Sequence, residues 1–214
     1  MNHVKTNSQK TRERVLLAIL IAITIVIAVV QQFFPRIGLS ITLLPIPMGI
    51  AAVMLGPLAG AVIGFIFGLT ALCQCIPVIP FFGIDLVGVE LFQLNWFYTI
   101  IICIIARIAA GWLTGVIANG MKRHAPTGRK LKIREIVGMI CAPLLNTVLF
   151  LSLLALLFSG VTLTIGGSSY DIIRNIVLPA ISINFVIEII TCSVVGIAIR
   201  AALKQYTASA KRSV

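Results

Sequence analysis

Charge is scarce in this sequence. Of 214 residues, 11% are charged and only six are acidic, whereas an ordinary soluble domain carries about 25% charged residues. Such a chain lacks the polar surface to face water all round. Histidine is scarcer still: His3 and His124 are the only two, both in polar, basic surroundings that read as solvated. No metal-ligand spacing, Ser-His-Asp set or Walker motif occurs. Neither a metal, a cofactor nor an enzymatic activity is therefore expected, and any ATP-driven step needs another subunit. The five cysteines (Cys73, Cys75, Cys103, Cys141, Cys192) fall mostly in apolar runs. The Cys73-x-Cys75 pair lacks the further ligands of a metal site and reads as buried packing.

What the sequence has is long uncharged runs. None of the residues from Ile37 to Ile84 or from Ile136 to Tyr170 is charged, and a membrane helix needs only about 20 apolar residues. The expected fold is an all-α integral membrane protein with six transmembrane helices. A basic tail (1–14) precedes the membrane domain (15–203), and a second basic tail (204–214) follows it. The first run, Val15 to Phe34, is longer than the roughly 7–15 residues of a signal-peptide core, so it reads as an uncleaved span. Span two covers about Thr42 to Leu55 and is interrupted by Pro45 and Pro47. Gly56-Pro57 turns into span three, which ends near Gln74. Cys75 to Asn95 reads as a re-entrant or interfacial stretch. Trp96 and Tyr98 mark the interface where span four begins, and that span ends near Gly120. Spans five and six cover about Ile136 to Phe158 and Ile173 to Leu203, with Ser159 to Tyr170 as a loop.

Net charge is +11, but its distribution speaks for topology rather than for nucleic acid. Fourteen of the 17 basic residues lie in the N-terminal tail, the central loop (121–134) and the segment from Arg200 onward; with Glu13 and Glu135 these carry +12. The intervening loops hold Arg36, Asp85, Glu90, Asp171 and Arg174, summing to −1. Positive loops stay cytoplasmic, so both termini and the central loop are expected inside. Six crossings satisfy that, and five or seven do not.

Two kinds of residue stand out within the spans. Gly56, Gly60, Gly64 and Gly68 recur every four residues and form one helix stripe. In lipid, close backbone approach through small residues drives helix packing, so the stripe reads as a contact within the bundle. Ala18 and Ala22 form a similar pair on span one. The second kind is buried polarity. Arg107 lies eleven residues into span four, roughly 16 Å deep at 1.5 Å per residue, and Glu188 lies at a similar depth in span six. An unpaired charge there costs about 2.5–3.5 kcal/mol on the lower scales. Two readings follow: an Arg107–Glu188 ion pair holding the bundle, or Arg107 gripping the carboxylate of a ligand. Asn146, Asn184 and, at the edge of span four, Asn95 complete the candidate binding set.

Several stretches resemble energy-coupling factor transporter S components: Thr42-Leu43-Leu44-Pro45-Ile46-Pro47, Met54-Leu55-Gly56-Pro57-Leu58-Ala59-Gly60-Ala61, Ala106-Arg107-Ile108-Ala109-Ala110-Gly111, and Pro143 to Leu149 with Asn146 at its centre. The resemblance spans essentially the whole chain. It implies a vitamin-binding subunit of a bacterial cytoplasmic membrane, docking on a transmembrane scaffold that carries two ATPases. It also implies that the Ala18/Ala22 pair contacts that scaffold, and that the subunit topples in the membrane to deliver its vitamin. The first two stretches look most like the pantothenate type, although Pro45 stands where that type often has histidine. Folate and riboflavin remain alternatives. An integral-membrane enzyme would need clustered Asp, His or Glu near an interface, and a stand-alone secondary transporter would show inverted repeats.

Overall fold

In a computed structural model the described residues are 7–33, 42–76, 82–119, 133–165, 168–171 and 185–209. Proline sets the first buried element. Helix α2 spans Pro45–Leu55 and α3 spans Pro57–Gln74, each with proline at its start. There the missing N–H would have had no helical partner. Pro45 and Pro47 thus open a helix where sequence reading expects them to interrupt one. Between the two helices Gly56 adopts φ 104°, a conformation side chains resist, and its N–H donates to the Ala52 carbonyl at 3.1 Å. At 11 residues α2 is roughly 16 Å long, too short to cross a membrane alone, and nine of its residues are buried.

Helix α1 (Asn7–Gln31) buries Leu20, Thr24 and Ala28 against this pair. Helix α4 (Leu86–Leu94) follows, its approach tied back by Asp85 N–H to Gln74 O at 3.0 Å. A single 24-residue helix comes next, Trp96–Asn119. It is built of α5 (Trp96–Ile100), a π-helical stretch (Ile101–Ile105) and α6 (Ala106–Asn119). Helix α7 (Ile133–Leu157) contains Pro143, and α8 covers Phe185–Ser209. Among the described residues four helices are long and apolar enough to cross a membrane: α1, α3, the Trp96–Asn119 helix and α7. The helical expectation gains one amendment within the Ser159–Tyr170 loop. Thr162–Ile165 (β1) and Ser168–Asp171 (β2) pair antiparallel, Thr162 opposite Asp171 and Ile165 opposite Ser168. β-Branched Thr and Ile favour that geometry.

The α3 glycines determine how the bundle closes. A Cβ on Gly60 would strike the Gly111 carbonyl, one on Gly64 the Arg107 carbonyl, and one on Gly68 the Cys103 carbonyl. Helix α3 and the Trp96–Asn119 helix therefore meet backbone to backbone along three turns. Gly115 lies equally close on Pro57. Asn119 Nδ2 donates to the Ala52 and Val53 carbonyls at 2.9 and 3.2 Å, and Gly138 of α7 packs on Ala118 and Val53. These contacts define one end of the bundle, the turn end, where α2 ends and α3 and α7 begin. The main core joins α1, α2, α3, α6, α7 and α8. A second core lies at the far end: Leu91, Ile102, Leu151, Leu154 and Phe158.

Candidate ligand site

Arg107 stands two residues past the end of the π-helical stretch. Such a wide turn is frequent at functional sites, and here it is coupled to the arginine: Nη1 donates to the Ile102 carbonyl at 2.8 Å. The guanidinium carbon sits 4.4 Å from the centre of the Phe150 ring on α7 and 5.3 Å from that of Phe67 on α3. Both separations lie within cation–π range. Arg107 is only 8% exposed, and its Nε has no hydrogen-bond partner. A buried donor left unpaired costs about 1–3 kcal/mol; Arg200 Nε shares that state, but Arg200 has a carboxylate partner, whereas among the described residues no carboxylate pairs with Arg107.

Glu188, also 8% exposed, stands in the first turn of α8. Its Oε1 accepts from Thr42 Oγ1 at 2.8 Å, and Cys192 Sγ one turn on donates to the Thr42 carbonyl at 3.3 Å. Arg107 and Glu188 lie within electrostatic reach of each other, yet they do not form a salt bridge. The ion-pair reading is therefore corrected: each charge is fastened separately, Arg107 by a carbonyl and two rings, Glu188 by a threonine. Asn146 lies one turn before Phe150 on α7 and is buried, its Oδ1 without a partner. Thr42, Phe67, Arg107, Asn146, Phe150 and Glu188 thus come from α3, α6, α7, α8 and the approach to α2, and all lie away from the turn end.

Asn95 has a different role in the structure: its Oδ1 accepts from the Tyr98 N–H at 3.2 Å and caps α5. Such a cap is worth about 1 kcal/mol, which accounts for the residue without a ligand. Asn184 lies outside the described residues, as do residues 121–132 of the basic loop; its last two, Ile133 and Arg134, belong to α7 rather than to a loop. Ala18 and Ala22 are exposed, on the side of α1 opposite Leu20, Thr24 and Ala28.

Sequence reading misses several features. Phe67 and Phe150 are hidden among other apolar residues. Cys75 and Cys103 bring their sulfurs to 4.0 Å beside the π-helical stretch. Arg200 and Glu135, which read as solvated members of basic segments, form a buried salt bridge of 3.2 Å with side chains 6% and 1% exposed. One signal could have found this face of α8: Glu188, Cys192, Gly196 and Arg200 recur every four residues.

These helices define a multi-pass membrane protein that keeps an arginine and a carboxylate buried and apart. The sequence model of the ECF transporter, substrate-specific component, matches residues 13–200, and the chain belongs to that family. It is a substrate-binding subunit of an energy-coupling factor transporter, a transport subunit rather than an enzyme, and its partners are the scaffold and ATPase subunits. Among curated proteins, none matches the chain.

Proposed function

We propose that this subunit captures a small water-soluble vitamin, with pantothenate the first candidate, for ATP-driven uptake across a bacterial cytoplasmic membrane. The chain crosses six times with both termini inside. The basic segments support that topology, because α6, α7 and α8 all meet the central and C-terminal ones at the turn end. The ligand then enters from outside, at the far end.

The observation that carries the reading is the buried guanidinium of Arg107, open at Nε and not joined to Glu188. A ligand carboxylate supplies what it lacks. Pantothenate adds hydroxyls and an amide that suit Asn146, Asn184 and Glu188. Mass spectrometry of small molecules co-purifying with the protein tests this. Pantothenate is the expected mass; folate or riboflavin would keep the capture role and change the vitamin, and a lipid product would point to an enzyme.

Docking is assigned to Ala18 and Ala22, whose outward position leaves them free for a scaffold helix and whose small size allows close approach. Ala18→Leu with Ala22→Leu should abolish uptake in cells supplying the scaffold and both ATPases, while the purified variant still binds vitamin. Loss of binding would contradict a docking role, and uptake by this chain alone would indicate a stand-alone transporter.

A further inference from the structure

The site holds two opposite charges that the protein keeps from meeting, and this restricts the ligand more than a lone arginine would. A plain anion drawn to Arg107 would feel repulsion from Glu188, which lies within electrostatic reach. A neutral ligand would leave the guanidinium Nε without its complement. Glu188 is already presented as an acceptor, since Thr42 Oγ1 donates to it, and Thr42 is itself held by Cys192. Asn146 Oδ1 offers a second buried acceptor without a partner. The recognition set is thus one cation with two acceptors, on three different helices.

Building on the capture role proposed above, we infer that the ligand is a small acid that also carries N–H or O–H donors, its anionic group taken by Arg107 and a donor taken by Glu188, with Thr42 as the positioning residue for that carboxylate. A donor on the ligand turns the repulsion from Glu188 into a charge-assisted hydrogen bond. The pair then selects against both simple anions and uncharged molecules. Thr42 acts through Glu188: it fixes the carboxylate that the ligand meets.

Binding to the purified full-length chain tests this with four probes: pantothenate, its alcohol counterpart panthenol (which lacks the carboxylate), folate and riboflavin. The wild type should prefer pantothenate to panthenol. Arg107→Gln should erase that preference. Glu188→Gln should weaken both compounds about tenfold, the worth of one charge-assisted hydrogen bond, and leave the preference intact. Thr42→Val, which retains the carboxylate, should give the same pattern with a smaller loss, and it carries the test if Glu188→Gln does not fold. Tight folate binding would be read the same way: folate, also an acid with N–H donors, supports the inference if Glu188→Gln weakens it. Unchanged or tighter binding in Glu188→Gln overturns the inference. Binding of riboflavin that is indifferent to both variants overturns it too, while leaving the capture role standing. A wild-type protein that binds none of the four overturns the pantothenate reading on which the inference rests.

Discussion

Arginine and glutamate meet the membrane interior at two places in this bundle, with opposite outcomes. At the turn end, Arg200 of α8 and Glu135 of α7 close on each other at 3.2 Å with almost no exposure. At the far end, Arg107 and Glu188 are just as buried, yet one is fastened to a carbonyl and two aromatic rings and the other to a threonine. Pairing would be the cheaper arrangement for a scaffold, because each lone charge in the membrane costs about 2.5–3.5 kcal/mol. The turn end takes that route and the far end does not. The difference separates a structural clasp from a site kept open for something else.

The packing follows the same division. Toward the turn end, Gly60, Gly111, Gly115 and Pro57 bring α3 and α6 to backbone contact, and Asn119 ties α6 to α2. That end is closed by small residues. Gly64 and Gly68 keep the same close approach to Arg107 and Cys103 at the far end, but there Phe67 and Phe150 stand over Arg107, and the Ile102 carbonyl of the π-helical stretch accepts from it.

Breaking the clasp should have the largest effect. Arg200→Met removes the buried guanidinium that pairs with Glu135 and should destabilise the protein by about 3–5 kcal/mol. Thermal unfolding of the purified protein would show the loss, and adding Glu135→Met should restore most of it. Arg107→Gln should behave in the reverse way: a small change in unfolding temperature, and a loss of affinity for an acidic vitamin of roughly ten- to a hundredfold, as for one charged hydrogen bond. Phe150→Leu should have the smallest effect. It removes one of the two rings that hold the guanidinium, worth about 0.5–2 kcal/mol, and should raise the dissociation constant severalfold with the fold intact.

Much of this was legible in the sequence. The membrane helices follow from uncharged runs, and the glycine stripe of α3 from its spacing of four, since both depend only on local order. Arg107, Asn146 and Glu188 stand out because polar residues inside apolar runs are rare. Whether Arg107 and Glu188 pair was not legible, because it depends on how α6 and α8 rotate toward each other. Arg200 and Glu135 were hidden for a related reason: charges near a helix end look alike whether they face water or each other. Phe67 and Phe150 carry no local mark that separates an arginine clamp from ordinary core. The β1–β2 hairpin did leave a signal, alternating Thr-Leu-Thr-Ile followed by two glycines, but its glycines also suit a loop.

The central claim is that Arg107 and Glu188 are held apart for a ligand rather than joined to hold the fold. A double-mutant cycle of Arg107→Gln and Glu188→Gln, read by unfolding of the ligand-free protein beside the same cycle for Arg200 and Glu135, tests it most directly. Coupling clearly weaker for Arg107 with Glu188, which interact without a salt bridge, than for Arg200 with Glu135, which form one, is the expected result. Equal coupling in the two cycles, with Glu188→Gln rescuing Arg107→Gln, would contradict it.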